Sequence, residues 1–549
     1  MIPVIDLFAG PGGLCEGFSR PIGGGHPFRP VLSIEKDETA QRTLELRAFV
    51  HWFMFQNESP PDDYYRYLVG EETKQHLFER HPEAADYARK TAWKATLGGT
   101  EVSEKEFDRR IRRALAGTRD WILIGGPPCQ AYSLVGRSRN IGQIKREQNL
   151  SFVQAQFEFG SDERQTLYKQ YLRILAVHRP AVFVMENVVG ILSAKVKGER
   201  IFPRILSDLS NPVRAANEDW PNLKGRASRH YRIFSFVTGK TPNDGADSDF
   251  LIRAEKYGVP QARHRVILLG IRDDFAPSLD SVPTLVPKPE TSVQMALGDL
   301  PRLRSHISRG AADSDVDWMR LLSEYAKSSS FEGDEFKDIR TCLIKSEQKR
   351  RLWMCSADAS SPGTSSIGAR MLADWYIDTK LSTPLNHAPR SHMASDLKRY
   401  LFVSAFGQSR GRSPVLSEFP KDLLPAHANV LRDSHRGEQS FADRFKVQIP
   451  DKASSTVTCH ISKDGHYFIH YDISQCRSLT VREAARLQTF PDNYFFEGNQ
   501  TEQYHQVGNA VPPFLAAQLA DIVKMIFDYQ SQHSSGKREK ARTSREPTT

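Results

Sequence analysis

The sequence predicts an α/β fold built on a doubly wound, largely parallel sheet. Three observations predict it. Short apolar runs at residues 4–8, 31–34 and 181–185 have the length and composition of buried strands. A glycine-rich stretch, residues 10–13, follows the first run at once. The second and third runs each end at a glutamate, and ligands of such sheets bind at the carboxyl ends of the strands.

The chain has 549 residues, which is long enough for two or three domains. The α/β alternation holds to about residue 275 and then weakens until order returns near residue 476. We therefore predict the following organisation: a sheet domain at 1–275 with an insertion at 49–117, a smaller loop-rich domain at 276–475, a return segment at 476–530 that completes the sheet domain, and a disordered basic tail at 531–549.

The composition and net charge limit the classes of protein to which the chain can belong. The formal net charge is +9, which suits a polyanionic partner but fits an ordinary basic protein equally well. Six cysteines without a CxxC pair make a disulfide scaffold or structural zinc site unexpected and favour a reducing, intracellular compartment. The apolar stretch 181–192 is too short and too polar to cross a membrane, and the first residues do not have the pattern of a signal peptide.

Residues 8–13 read Phe-Ala-Gly-Pro-Gly-Gly after the first predicted strand. Glycines there let a backbone approach a ligand closely, although a tight strand-to-helix turn would need them too. The spacing is not GxGxxG, which disfavours a dinucleotide site. Glu35 ends the second predicted strand, where a carboxylate can bind ribose hydroxyls or can simply face solvent. Together they indicate a cofactor that contains a nucleoside.

Cys129 follows two prolines at the end of a predicted strand at 121–124. A stiff, exposed loop is a poor place for a core cysteine and a good one for a nucleophile, which reacts as a thiolate with cationic help. Arg263 and Arg265, two residues apart on a predicted strand, would point the same way and could supply that help, or could form a solvated basic edge. Glu186 ends the buried run at 181–185, and a carboxylate there is either bonded to backbone donors or kept for acid–base chemistry.

Taken in order, these motifs resemble those of the cytosine-5 DNA methyltransferase family of bacterial restriction–modification systems. The resemblance covers four blocks: 1–48, 118–195, 250–272 and 453–525. It includes QVGNAVPP at 506–513 and RSLTVREAARLQTFP at 477–491, where Thr480 and Glu483 have the spacing of a helix capping box. The resemblance implies a Rossmann-like methyltransferase domain that uses S-adenosylmethionine, and a smaller target-recognition domain.

The resemblance also implies roles for residues. Cys129 would attack carbon 6 of cytosine, Glu186 would stabilise ring nitrogen 3, and Arg265, with Arg263, would neutralise charge near the carbonyl oxygen. The target base would leave the duplex to reach Cys129, and no metal is required. Residues expected to bind the cofactor are Phe8, Ala9, Gly10, Gly12, Gly13, Glu35, Pro128, Leu167, Asn509 and Val511. Residues expected to bind DNA are Gln130, Ser133, Arg137, Arg139 and Gln261.

One feature departs from this family pattern, and a second feature could suggest a different kind of site. The family's acidic residue at the end of the third strand has no clear match, since the insertion at 49–117 falls there and Glu101 is a weak candidate. His387 and His392, in HAPRSH, have no acidic cluster beside them, so a metal or nuclease site is not expected.

The sequence predicts a monomer that acts on double-stranded DNA in the bacterial cytoplasm, associated with the nucleoid, with no membrane attachment and with a separately encoded restriction endonuclease as a possible partner. Two alternatives stay open: a relative that methylates transfer RNA, and a catalytically silent DNA-binding homologue. The large middle region disfavours the first, and intact Cys129, Glu186 and Arg265 disfavour the second. The glycine spacing disfavours a nicotinamide-dependent dehydrogenase.

Overall fold

The computed structural model describes residues 1–127, 163–196, 198–223, 230–241, 247–308, 313–355, 370–425 and 444–543. The chain divides into two compact units. Unit 1 comprises residues 1–257, 264–288 and 510–549, and unit 2 comprises residues 258–263 and 289–509.

The elements of the described residues are numbered here in chain order. The strands are β1 (Ile2–Leu7), β2 (Phe28–Glu35), β3 (Ala92–Lys94), β4 (Ile122–Gly125), β5 (Val182–Val188), β6 (Lys195–Val196), β7 (Glu199–Arg200), β8 (Tyr231–Ser235), β9 (Leu251–Arg253), β10 (His264–Arg272), β11 (His306–Ile307) and β12 (Ser391–His392). The helices are α1 (Gly13–Phe18), α2 (Glu38–Met54), α3 (Asp62–Leu68), α4 (Lys74–Arg80), α5 (Pro82–Thr91), α6 (Glu104–Leu115), α7 (Glu163–His178), α8 (Phe202–Ser210), α9 (Pro212–Ala216), α10 (Val293–Leu297), α11 (Asp315–Ala326), α12 (Lys337–Cys355), α13 (Arg370–Tyr376), α14 (Ala394–Arg410), α15 (Val481–Leu487), α16 (Gln500–Asn509) and α17 (Pro513–Thr543).

Unit 1 is built on an eight-stranded sheet with the order β3-β2-β1-β4-β5-β10-β8, and β9 pairs with β10. The strands from β3 to β5 are parallel, whereas β10 is antiparallel to both β5 and β8. The strand order reverses between β1 and β4, the position at which a doubly wound sheet opens a crevice for ligands. The predicted doubly wound α/β fold is confirmed.

The central strands are apolar because both faces of the sheet are covered. All four residues of β4 are buried, as are the last four of β1 and the first four of β5. On α7, Tyr171, Ile174 and Leu175 are fully buried in the same core. The sheet therefore gives a rigid base to the loops that leave its carboxyl edge.

The predicted insertion at 49–117 was partly wrong, because it contains a strand of the sheet. β3 lies within it and pairs with β2, with Glu35 opposite Lys94. The segment also holds the end of α2 and the helices α3 to α6. A strand of three residues between helices leaves too short an apolar run to show as a strand in the sequence. β3 ends at Lys94, whose ammonium pairs with Glu38 at 2.6 Å, and Glu101 lies beyond it on the surface.

Unit 2 is more helical than the predicted loop-rich domain, with the helices α10 to α16. Its core includes Trp318, Leu322, Phe402 and Cys476. The boundaries also differ from those predicted. Residues 276–288 belong to unit 1, and most of the predicted return segment, up to residue 509, belongs to unit 2.

The capping box predicted from the sequence is present at the start of α15. The side chain of Thr480 accepts the backbone N–H of Glu483 at 3.2 Å, and Glu483 Oε2 accepts the backbone N–H of Thr480 at 2.7 Å. The helix begins where the sequence predicts because each side chain satisfies a backbone donor of the other residue.

The predicted disorder of the tail from 531 was wrong up to residue 543, since α17 runs to Thr543. The Ser531 hydroxyl donates to the carbonyl oxygen of Phe527 at 2.9 Å, and the lysines and arginines that follow are good helix formers. Among the described residues, Gln500–His533 is long and apolar enough to cross a membrane, but 72% of its most apolar window is buried inside the protein, and a core helix passes the same test.

Candidate active site

The glycine-rich loop after β1 has a backbone that few residues can adopt. Phe8, Gly10 and Gly12 have φ angles of 58°, 54° and 94°, in the left-handed region, where glycine carries no steric cost. A Cβ atom on Gly13 would overlap the carbonyl oxygen of Val511, which belongs to the same unit. The loop at the carboxyl end of β1 therefore brings the start of α1 against the chain at Val511.

Glu35 is fixed beside this loop by three backbone donors. Its Oε2 atom accepts the N–H of Gly10 at 2.8 Å, and Oε1 accepts the N–H groups of Lys36 and Asp37 at 2.9 Å each. Hydrogen bonds to both oxygens orient the carboxylate while leaving it lone pairs for further donors. The end of β2 therefore presents an acceptor next to the glycine loop, as predicted from the sequence.

Asp6 is a functional candidate that the sequence analysis did not single out. It is only 1% exposed on β1, and neither carboxylate oxygen has a hydrogen-bond partner among the described residues. Burial, and then the charge of Glu35, raise the pKa of Asp6 well above its ordinary value. A carboxyl group in the middle of a buried strand was the available signal, because an apolar residue would satisfy packing at no such cost.

Glu186 and Arg265 form an ion pair where β5 and β10 run side by side. The Nε atom of Arg265 lies 2.7 Å from Glu186 Oε1, and the two side chains are 15% and 14% exposed. Both side chains are therefore partly exposed near the carboxyl end of β5. The ion pair orients each side chain relative to the other.

The end of β4 comes close to this pair. A Cβ atom on Gly126 would lie 2.8 Å from Glu186 Oε2, so a side chain there would force that carboxylate to move. The Asn187 amide donates to the carbonyl oxygen of Pro127 at 3.4 Å. Cys129 follows Pro127 by two residues and lies outside the described residues. The described chain thus places the approach to Cys129 against the strand end that carries Glu186.

Residues 100–212 and 250–525, more than half of the chain, match the sequence profile of C-5 cytosine-specific DNA methylases. Type II methyltransferase M.Bpa9945I of Bacillus paralicheniformis is 32% identical over 540 residues, which cover 96% of this chain and 99% of that protein. The chain belongs to the C-5 cytosine-specific DNA methylase family.

Other proteins show the same likeness at lower identity. Type II methyltransferase M.AgeI of Thalassovita gelatinovora is 26% identical over 95% of this chain and 99% of its own length. A prophage-encoded E. coli protein described as a DNA modification methyltransferase has a crystal structure that aligns over 96% of this chain and all of its own, with a TM-score of 0.46 and 17% identity. The family match over more than half of the chain and the 32% identical relative show that the chain is a DNA (cytosine-5-)-methyltransferase, as the motif series indicated.

In this DNA methylase, Arg263 does not lie where the sequence analysis expected. It precedes β10, which begins at His264, and the side chain is 2% exposed. Its guanidinium donates to the carbonyl oxygens of Val457 at 2.7 Å and Gly508 at 3.4 Å. The expectation that Arg263 and Arg265 share one face of a strand was therefore wrong, because only Arg265 is in the strand.

Gln261 is also turned away from solvent. It is fully buried, and its amide nitrogen donates to Leu487 O and Gln488 Oε1 at 3.1 Å each, while its oxygen accepts the N–H of Val457 at 2.7 Å. With both ends of the amide bonded inside unit 2, Gln261 has a structural role. The expected contact between Gln261 and DNA does not fit this placement.

The structure also describes three further residues that the sequence analysis assigned to the cofactor. Leu167 is half-buried on α7. Asn509 is exposed at the end of α16 in unit 2, with its amide nitrogen 3.3 Å from His505 Nδ1. Val511 is 9% exposed in unit 1. Five further predictions lie, like Cys129, outside the described residues: Pro128, Gln130, Ser133, Arg137 and Arg139.

The histidines of HAPRSH are engaged inside unit 2. His387 bonds through Nδ1 to the Thr480 hydroxyl at 2.8 Å and through Nε2 to Pro301 O at 3.0 Å, and burial lowers its pKa to about 4. His392 lies 3.1 Å from the Ser478 hydroxyl, and burial lowers its pKa to about 3. Within the described ranges, no group of three or more His, Cys, Asp or Glu side chains could hold a metal ion.

Proposed function

We propose that this enzyme transfers a methyl group from S-adenosylmethionine to carbon 5 of a cytosine in double-stranded DNA, through a covalent adduct with Cys129. The observation that carries the proposal is the Glu186–Arg265 pair at 2.7 Å on the carboxyl end of β5. β5 lies next to β4, which leads to Cys129, and β4 lies next to β1, which leads to the glycine loop. Nucleophile, acid and cofactor loop therefore leave three adjacent strands.

The residues present fit S-adenosylmethionine, which supplies an electrophilic methyl group when bound. The space beside Gly10 is open, since no atom lies within 4 Å of a Cβ built there, and the fixed carboxylate of Glu35 suits the two ribose hydroxyls. The cofactor also carries positive charge, and Asp6 is a buried carboxyl without a hydrogen-bond partner in the part of the chain that the structure describes. We assign Phe8 and Leu167 to the adenine, and Ala9, Gly13, Pro128 and Val511 to the rest of the cofactor.

The reaction begins with the Cys129 thiolate, whose electron pair forms a bond to carbon 6 of cytosine. The carbon 5–carbon 6 double bond then supplies the electron pair that bonds carbon 5 to the methyl group, and the carbon–sulfur bond of the sulfonium breaks. A base removes the carbon 5 proton, the double bond forms again, and the bond to Cys129 breaks to return the thiolate. The bonds that form and break in these steps balance without an oxidant, a reductant or a metal ion.

Glu186 and Arg265 stabilise the charge that this attack creates. Glu186 stabilises ring nitrogen 3, where any proton that it gives is returned to it when Cys129 leaves, and the Arg265 guanidinium neutralises charge on the carbonyl oxygen. Their ion pair fixes both side chains before the base arrives, which lowers the cost of orienting them. We assign this electrostatic role to Arg265 alone, because the guanidinium of Arg263 binds backbone carbonyls of unit 2.

Cys129 cannot approach carbon 6 while the base is stacked, so the target cytosine must rotate out of the duplex. We propose that Gln130, Ser133, Arg137 and Arg139 contact the DNA around it, with the arginines on phosphates. The net charge of +9 favours such binding. Sequence preference is assigned to unit 2.

The biological system in which the enzyme acts is inferred from its relatives. Those named above are type II methyltransferases from bacteria. We propose that this enzyme likewise modifies DNA in a restriction–modification system or alone, as a monomer in the bacterial cytoplasm, and that a separately encoded endonuclease accompanies it in the first case.

The test uses purified wild-type protein, Cys129→Ser and the matched control Cys342→Ser, which alters a half-buried free cysteine on α12. Each is incubated with tritiated S-adenosylmethionine and unmethylated DNA of mixed sequence, and the DNA is digested to nucleosides. We expect label in 5-methyldeoxycytidine from wild type and Cys342→Ser and none from Cys129→Ser. Label on adenine would refute the mechanism, and label only on transfer RNA would establish the alternative substrate. DNA binding without label on either would indicate a silent homologue.

A further inference from the structure

A buried ion pair joins the helices α1 and α2 within unit 1. The guanidinium of Arg47 on α2 donates through Nε to Glu16 Oε2 at 2.7 Å and through Nη2 to Glu16 Oε1 at 2.6 Å. The Glu16 side chain on α1 has no exposed surface, and the Arg47 side chain is 5% exposed. Two parallel hydrogen bonds between planar groups fix the relative direction of the groups as well as their distance.

The same carboxylate also contacts His51 and Arg20. His51 Nε2 lies 2.9 Å from Glu16 Oε2, and the Arg20 guanidinium lies 3.3 Å from Glu16 Oε1. Burial alone would raise the pKa of Glu16, but the charge of Arg47 and the hydrogen bond to His51 outweigh it and hold that pKa well below its ordinary value. Burial lowers the pKa of His51. At neutral pH the carboxylate is therefore ionised and faces two guanidinium groups and a neutral imidazole.

Stability alone is a weak reason for such a pair. Taking two charges out of water offsets most of their attraction, and well-packed apolar side chains often stabilise a protein as well or better. Apolar contacts do not supply direction, whereas the paired hydrogen bonds do. The Glu16–Arg47 pair is therefore suited to fixing how α1 lies against α2.

Each of these helices begins at one side of the site assigned to the cofactor. α1 follows the glycine loop directly, and α2 begins three residues after Glu35, whose carboxylate accepts the N–H of Gly10 at 2.8 Å. That bond joins the two helix starts at one point, about which they could still turn. The Glu16–Arg47 pair joins them at a second point, about 14 Å further along α2 at 1.5 Å per residue. α1 needs this support because it has six residues and no side-chain cap at its start.

We propose that Glu16 and Arg47 are positioning residues for the cofactor, which hold the glycine loop and Glu35 in the relative placement that S-adenosylmethionine requires. The inference rests on the proposed function. Both side chains are buried and act through the helices that carry them, without touching the cofactor. Loss of their directional bonds should weaken cofactor binding but leave the rate of the loaded enzyme nearly unchanged, because Glu186 lies on β5.

The test compares Arg47→Lys with Arg272→Lys. Arg272 is a matched control because it is also buried in unit 1 and also ion-paired, with Nη2 2.7 Å from Asp120 and Nε 2.5 Å from Asp274. It ends β10, which is antiparallel to β5, and so lies at the amino edge of the sheet, away from the glycine loop. The measurements are the dissociation constant for S-adenosylmethionine by calorimetry, the melting temperature, and the single-turnover rate of methylation at saturating cofactor and DNA.

A lysine at position 47 keeps the positive charge but cannot form the paired bonds of a guanidinium. For Arg47→Lys we expect the dissociation constant to rise about tenfold, less than the roughly 100-fold loss that a misplacement of 1 Å can cause, and the single-turnover rate to stay within about twofold. For Arg272→Lys we expect a lower melting temperature with the dissociation constant within about twofold of wild type. An unchanged dissociation constant in folded Arg47→Lys, or an equal rise in both variants, would overturn the proposal.

A second variant covers the case in which Arg47→Lys does not fold. The double change Glu16→Leu with Arg47→Met replaces the ion pair by apolar side chains of similar size, which we expect to keep the melting temperature near that of wild type. A raised dissociation constant in this folded variant supports the inference, because stability is kept while direction is lost. A wild-type dissociation constant there refutes it. Wild-type protein that does not bind S-adenosylmethionine would instead refute the proposed function, so the two failures are distinguishable.

Discussion

The carbonyl oxygen of Val511 occupies the space that a side chain on Gly13 would need. These residues come from opposite ends of the chain, yet both belong to unit 1. The contact places the segment after residue 509 against the loop assigned to the cofactor.

Gly13→Ala should therefore damage the cofactor loop. The added methyl group displaces the backbone at Val511, which we expect to lower the free energy of unfolding by about 1–3 kcal/mol and to weaken S-adenosylmethionine binding. Thermal melting and calorimetry measure the two effects. Gly25→Ala is the control, since nothing lies within 4 Å of a Cβ there. Equal cofactor affinity in both variants would show that the Gly13–Val511 contact does not shape the site.

Asp6→Asn should make the cofactor-free enzyme more stable and its cofactor affinity lower. The raised pKa of Asp6 means that its ionisation opposes folding as pH rises above the value near 3.9 that it has when unfolded. We expect the free energy of unfolding at pH 8 to increase, because the amide cannot ionise. Denaturant unfolding and calorimetry test this. The control is Asp451→Asn, which changes an exposed carboxylate. Undiminished cofactor affinity would exclude Asp6 from the site.

Glu186→Gln should lower kcat by about 10²–10⁴-fold, because the amide cannot give a proton to ring nitrogen 3. Gly126→Ala should also lower kcat, since its methyl group would lie 2.8 Å from Glu186 Oε2 and would force that carboxylate to move. Steady-state kinetics separate kcat from the KM for the cofactor, which we expect to change little in both variants. A full kcat in Glu186→Gln would contradict the assigned role.

Acid should destabilise unit 2 through His387 and His392. Their pKa values in the folded protein are about 4 and about 3, below the value near 6.5 of an unfolded histidine, so the unfolded chain binds more protons. Stability is complete above pH 6.5 and falls as the pH decreases toward 4, by about 3 kcal/mol for His387. Denaturant unfolding between pH 7 and 4 measures this slope.

His387→Asn should be less stable than wild type at pH 7 but should show a shallower pH dependence. The control His76→Asn changes an exposed histidine and should retain the wild-type slope. An unchanged slope in His387→Asn would mean that this side chain is not the group that takes up protons on unfolding.

The sequence best predicted those features of the fold that depend on residues close together along the chain. Buried strands are apolar whatever surrounds them, so the ends of β1, β2 and β5 could be predicted, and with them the glycine loop, Glu35 and Glu186. The Thr480–Glu483 capping box could be predicted because its partners are three residues apart.

The features that the sequence did not reveal depend on contacts between residues that are distant along the chain. Arg263 and Gln261 look like members of an exposed basic strand, but their hydrogen bonds run to residues about 200 positions away, which no local pattern reveals. Asp6 passed unnoticed because its significance is the absence of any partner among the described residues, a property of packing. β3 was hidden because three residues between helices have no periodicity to detect.

Unit 1 is completed by the last part of the chain, and this affects how the enzyme folds during its synthesis on the ribosome. The ring of Phe527 on α17 packs against Phe28 and Phe275, and Gly17 on α1 has no room for a side chain beside Ala516. While translation proceeds, the nascent chain holds β1 and α1 with their apolar surface uncovered until α17 emerges. A truncated product that ends before residue 510 would therefore carry every motif up to Asn509 but would lack part of the core of unit 1. We expect chaperones to bind such a product, or proteases to degrade it, and we do not expect it to be partly active.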